Sequence, residues 1–257
     1  MSDQASHLRQ LVLRAARQRG ADAVLPPRIA AVLAAQSGLG TTTAAALLGR
    51  ALVEQGARVV LIDADLQQRD LARACGITVP ASYRAKVARQ DIHEALLPLP
   101  GGLQIVPGVW EDAARPLERI LQQLLQQFQQ LGRHADLLVL DLGAVDAQIL
   151  QSWREAVETF LLVTTPASSA VMDSYTLIKQ SLAYRAGQGI ELLVNKAADR
   201  AEALDVFGRV DRSCQRFLGF GVQLAGHLPA EAKVGDLNVI AARLCEGPAA
   251  TSERRVA

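Results

Sequence analysis

The segment that most constrains this chain is an apolar run ending in a glycine loop that restarts as an alanine-rich stretch. Residues 30–35 read Ala-Ala-Val-Leu-Ala-Ala, followed by Gln36-Ser37-Gly38-Leu39-Gly40-Thr41-Thr42-Thr43 and then Ala44, Ala45 and Ala46. A strand feeding a tight loop, with a helix N-terminus behind it, aims backbone N–H groups at an anion and makes a phosphate cradle. The phosphate-loop pattern GxxxxGK followed by Ser or Thr asks for Gly at Ala35 and Lys at Thr41, and the chain has neither. Gly38, Gly40 and the Thr42 hydroxyl remain. The loop keeps the backbone half of a phosphate site and lacks its charge.

Apolar runs at 29–35, 58–62, 103–106, 137–140, 160–164, 191–194 and 222–225 predict strands. Helical periodicity fills the gaps, as at 42–55 and 199–218. Near-continuous apolar strands separated by helices imply an α/β fold, a doubly wound, mostly parallel sheet with helices on both faces. Ligands in such sheets sit beyond the carboxyl ends of the strands, at the topological switch point. Residues 121–131 are rich in Gln, yet Leu121, Leu124, Leu125, Phe128 and Leu131 share one helix face, which predicts an amphipathic helix. Four divisions are expected: an N-terminal helix over 1–19, a Gly/Ala/Pro-containing linker over 20–27, the α/β domain over 28–245 and a loose tail over 246–257.

Composition narrows the function classes. The net charge of +1 gives no field that favours nucleic acid or an anionic membrane. Cys75, Cys214 and Cys245 lie far apart without ligand spacing and read as packing residues in a reducing compartment. Asp3, His7 and Arg9 interrupt any signal-peptide-like apolar run, and no stretch approaches the roughly 20 apolar residues of a bilayer span. The expected location is the cytoplasm, peripheral at the inner membrane at most.

Two acidic positions follow predicted strands. Asp63-Ala64-Asp65 comes after Val59 to Ile62, and Asp141 comes after Leu137 to Leu140, with Gly143 two residues on. Carboxylates at such ends hold Mg²⁺ or orient a water at a terminal phosphate, and a glycine lets backbone approach that phosphate. An isolated Asp after a strand more often caps the next helix. Here both acids stand in the order and spacing that one nucleotide site requires.

The order of glycine loop, Asp63-Ala64-Asp65, Asp141-Leu142-Gly143 and Val194-Asn195-Lys196 resembles the MinD/ParA class of P-loop ATPases. Within that class the chain resembles the FlhG (FleN, YlxH) regulators of flagellar number. The resemblance rests on Leu161-Leu162-Val163-Thr164-Thr165-Pro166, Met172-Asp173-Ser174-Tyr175-Thr176-Leu177-Ile178-Lys179, Arg216-Phe217-Leu218-Gly219 and Gly226-His227-Leu228-Pro229. It covers nearly the whole chain. Asp3-Gln4-Ala5-Ser6-His7-Leu8-Arg9 fits the DQAxxLR start of that family. In the family this start is a helix that binds and stimulates the GTPase FlhF. The resemblance therefore implies partner binding through Asp3, Gln4, Ala5, Leu8 and Arg9, flagellar basal-body or regulatory partners, and a nucleotide-dependent homodimer.

The resemblance implies an ATP or ADP site at Gln36, Ser37, Gly38, Leu39, Gly40, Thr41, Thr42, Thr43, Gly143, Asn195 and Pro229. Asn195 falls at the adenine-recognising position and Pro229 at the base pocket. Thr42, Asp63 and Asp141 would hold Mg²⁺, and Asp65 with Asp63 would be the catalytic acids of an active member. The signature lysine of the class falls on Gln36, the phosphate lysine on Thr41 and a loop glycine on Ser37. A hydrogen bond to a charged group is worth about 1.5–3 kcal/mol, so losing both lysines removes roughly 3–6 kcal/mol. Against about −8 kcal/mol for a micromolar site, affinity near millimolar is left. The reading is an FlhG-like regulator that binds nucleotide weakly or not at all, with hydrolysis weak or lost. A conventional dimerising ATPase and a BcsQ-like secretion scaffold are the alternatives. Residues 237–244 hold one basic residue and too small an apolar face for a membrane-inserting helix, so weak or absent membrane contact is expected.

Overall fold

The computed structural model describes residues 26–65, 67–79, 92–108, 127–128, 131–182 and 189–246. Eight strands form one sheet: β1 (Arg28–Ala34), β2 (Val59–Asp63), β3 (Leu97–Pro98), β4 (Gln104–Val106), β5 (Leu137–Ala144), β6 (Thr159–Thr164), β7 (Ile190–Val194) and β8 (Gln223–His227). Their spatial order is β3-β4-β2-β5-β1-β6-β7-β8. Every pairing is parallel except the edge pair β3–β4. The α-helices among the described residues are α1 (Thr41–Glu54), α2 (Leu71–Ala74), α3 (Ala147–Trp153), α4 (Ser168–Leu182), α5 (Arg200–Leu218) and α6 (Asn238–Glu246).

Alternation along each strand divides the core in two. Ile29, Ala31 and Leu33 of β1 join Val60, Leu138, Leu162 and Leu192 under α3, α4 and α5. Ala30, Val32 and Ala34 join Leu61, Val139, Leu161 and Leu193 under α1, α2 and α6. Both faces are covered, which is why the strands read as unbroken apolar runs rather than alternating ones. α1 is sandwiched between the sheet and α6, and Ala44, Ala45, Ala46, Leu48, Ala51 and Leu52 are all buried. Small residues let it sit close: a Cβ on Gly49 would come 2.6 Å from Leu61 Cδ2.

Three local features differ from the sequence expectation. β5 does not stop at Leu140 but runs on to Ala144, because β1 pairs along its whole length. Asp141 therefore lies within the strand, opposite both Val32 and Asp63. The register slips between Val32 and Leu33, so β5 carries Leu142 as an extra residue and bulges at the acid. β3 is an unanticipated two-residue antiparallel edge strand. Of the proposed 121–131 helix, Phe128 and Leu131 are buried and Phe128 stacks on Trp153 with ring centroids 6.3 Å apart. Leu121, Leu124 and Leu125 lie outside the described residues. So do residues 1–25, with the Asp3–Arg9 motif, and residues 247–257.

Candidate functional site

The glycine loop joins the carboxyl end of β1 to the first turn of α1. Gly38 and Gly40 adopt φ 82° and 92°, the left-handed region, and turn the chain sharply enough for the helix to start at Thr41. Gly40 is the N-cap residue, and its carbonyl accepts the Ala44 N–H at 2.9 Å. Among the described residues no side chain caps this helix, so its first N–H groups face the loop mouth. A Cβ on Gly40 would run into the Asn195 side chain. Asn195 Nδ2 donates to the Leu39 carbonyl at 2.8 Å, and its Oδ1 accepts the Lys196 N–H at 2.9 Å. This buried amide clamps the loop to the end of β7.

Lys196 is the one non-glycine among the described residues with positive φ, at 58°. The bend sends its side chain back across the loop, where Nζ donates to the Gly38 carbonyl at 3.2 Å. Beside it opens a cavity of about 310 Å³. Its lining includes Ser37, Gly38, Gly40, Thr41, Thr42, Thr43, Asp65, Gln68, Gly143, Asn195, Lys196, Leu228, Ala230 and Ala232.

The acids are arranged in depth. Asp65 Oδ1 accepts the backbone N–H groups of Gln67 and Gln68 at 2.7 and 2.9 Å, which fixes the turn after β2. Its carboxylate fills the space beside Gly143, whose φ is 61°, so any side chain at 143 would displace it. Asp63 and Asp141 are 1% and 0% exposed and lie side by side in adjacent strands. Burial, and then the Asp141 charge, push Asp63 up from 3.8 to about 7. Asp141 rises to about 6, mainly through burial, while hydrogen bonds from Thr42 and Gly143 pull the other way. The two titrate as a pair.

Asp141 Oδ1 accepts the Gly143 N–H at 3.2 Å, whereas Oδ2 has no hydrogen-bond partner among the described residues. A buried, unsatisfied carboxylate oxygen beside a second acid and the Thr42 hydroxyl fits a divalent cation, whose charge would offset the crowding. Among the described residues no three His, Cys, Asp or Glu side chains cluster as a self-sufficient metal site. A Mg²⁺ here would therefore complete its shell with water and phosphate oxygens.

Most sequence-proposed positions converge. Ser37, Gly38, Gly40, Thr41, Thr42, Thr43, Asp65, Gly143 and Asn195 share the cavity wall. Gln36, Leu39 and Pro229 do not contribute to that wall; Leu39 is buried beneath the loop and offers only its carbonyl to Asn195. Asp63 and Asp141 lie behind the wall rather than in it. Sequence reasoning passed over Gln68, Lys196, Leu228, Ala230 and Ala232. Val-Asn-Lys at the end of β7 was the available signal for Lys196, because parallel strands bring their carboxyl ends to one edge.

The fold and this loop define a P-loop nucleotide-binding domain of the α/β class. The chain belongs to the CobQ/CobB/MinD/ParA nucleotide binding domain family, whose model matches residues 30–237. The antiactivator FleN of Pseudomonas aeruginosa is 29% identical over 213 residues, 81% of this chain and 76% of FleN. The septum site-determining protein MinD of Synechocystis is 31% identical over 219 residues, 80% of this chain and 77% of that one. MinD of Pyrococcus horikoshii, solved with Mg-ADP, superposes with a TM-score of 0.60 at 22% identity, covering 80% of this chain and 82% of its own. The MinD/ParA and FlhG-type resemblance read from the motifs thus stands.

Proposed function

We propose that this protein is an FlhG-like regulator of flagellar number or placement that senses ATP or ADP weakly and turns it over slowly. The observation that carries this reading is the loop itself. Gly38 and Gly40 keep left-handed turns, Asn195 clamps them, and a cavity stays open over Thr41 to Thr43, although no lysine stands in the loop. The similarity to FleN supports the flagellar assignment. Loop N–H groups from Gly38 to Thr43 would hold the phosphates, and Thr42 with Asp141 would hold Mg²⁺. The cation supplies charge neutralisation at the phosphate oxygens when bound. Without lysine, charge developing in a transition state is poorly matched, so hydrolysis falls further than binding. A homodimer would form across the nucleotide face, and residues Asp3 to Arg9 would engage an FlhF-type GTPase.

An active dimerising ATPase is the second reading, favoured by the position of Asp65 on the cavity wall beside Gly143. Phosphate release separates the two. The regulator reading expects turnover near background, unchanged by Asp65→Ala. A robust rate that Asp65→Ala abolishes would establish the ATPase instead.

A further inference from the structure

We propose that Lys196 supplies, from outside the glycine loop, the cationic contact to a polyphosphate chain that the loop's own sequence lacks. The inference rests on the nucleotide-site reading above and names the residue that gives this site its charge. Of the described residues lining the cavity, Lys196 alone is cationic, and Asp65 is the one carboxylate among them. Its Nζ already stands at the loop, 3.2 Å from the Gly38 carbonyl. An ammonium has three donors, so two N–H groups remain for phosphate oxygens.

The placement is built rather than incidental. L residues rarely adopt φ 58°, and here it marks the turn that leaves β7, after which the Ala197 N–H bonds to the Leu228 carbonyl beyond β8 while the Lys196 side chain reaches the loop after β1. The Lys196 N–H is held by Asn195 Oδ1, and the same Asn195 side chain holds the Leu39 carbonyl. One buried amide thus fixes both the loop and the backbone that carries the lysine. A lysine at the usual loop position would approach the phosphates from the start of α1. This one approaches from two strands away, across β6, and acts as a movable point charge.

Calorimetric titration of the full chain with ATP and with inorganic tripolyphosphate, each with Mg²⁺, tests the assignment. Lys196→Asn removes the charge yet suits the left-handed backbone. It is expected to weaken both ligands about tenfold or more, while Lys196→Arg retains most of the affinity. Lys196→Gly, which fits the same φ, serves if the Asn variant loses its ligand-free melting transition. Unchanged ATP affinity in Lys196→Asn or Lys196→Gly would overturn the lysine's role and leave the nucleotide site intact. Loss confined to ATP, with tripolyphosphate unaffected, would overturn it too, since the contact would then be to base or sugar. Absence of ATP binding by the unaltered chain would overturn the nucleotide reading together with this one.

Discussion

Asp63 and Asp141 are the residues whose energetics are most exposed to experiment. Their folded values, about 7 and about 6, lie above the ordinary 3.8, so the folded chain holds these protons more tightly than the unfolded chain. That stabilisation is complete below about pH 4 and is lost as pH rises through about 6 to 7. The ligand-free protein should therefore melt higher near pH 5.5 than near pH 8, each kcal/mol moving Tm by about 2–4 °C. Asp63→Asn should flatten the dependence and raise Tm at the alkaline end. Melts across that range would contradict the account if Tm climbed with pH instead. The glycines give a second contrast. A Cβ at Gly38 meets nothing within 4 Å, so Gly38→Ala costs only its left-handed backbone, about 1–2 kcal/mol. Gly40→Ala also displaces the Asn195 clamp and should cost at least about 1 kcal/mol more by denaturant titration. Equal losses would mean that the clamp does little. These glycines were legible in the sequence because a tight turn before a helix demands them. Lys196 was legible only as part of Val194-Asn195-Lys196 at the end of a strand; that its side chain returns to a loop 158 positions away was not.

At the scale of elements, α1 shows how packing overrides propensity. Alanine exceeds glycine by about 1 kcal/mol within a helix. Yet a Cβ on Gly49 would press on the Leu61 side chain, which is fully buried, and overpacking typically costs about 1–3 kcal/mol. Gly49→Ala should therefore destabilise the domain by about 1 kcal/mol, and a stabilised variant would show that the contact between α1 and β2 is loose. The long parallel strands were readable because burial on both faces leaves a continuous apolar run. β3 escaped because two residues, one a proline, carry no periodicity, and a proline is tolerated only at such an edge. The length of β5 escaped for a different reason. Asp141 looks like a strand terminator in sequence, but pairing with β1 on one side and β2 on the other carries the strand past it. α6 packs Ile240, Ala241 and Leu244 into the core and joins β7 through the Arg243–Glu191 ion pair. Its apolar face is thus used within the domain.

For the whole molecule, the site residues gather at the carboxyl edge of the sheet, where β1, β2, β5, β7 and β8 end. No helix among the described residues is long and apolar enough to cross a membrane. The proposed division of labour puts nucleotide sensing in the α/β domain and GTPase engagement in residues 1–19. Deleting those residues should leave the melting temperature of the domain within about 2 °C and abolish stimulation of an FlhF-type GTPase. Retained stimulation in a GTP-hydrolysis assay would move the partner surface onto the domain. The central claim is that a phosphate cradle survives a loop without lysine. Calorimetric titration of the full chain with ATP and Mg²⁺, beside a Thr41→Lys variant, tests it most directly. The account predicts saturable binding by the natural chain at about high-micromolar to millimolar affinity, tightened about tenfold or more by the lysine. Binding by Thr41→Lys alone, with none by the natural chain, would contradict it and leave a nucleotide-free scaffold.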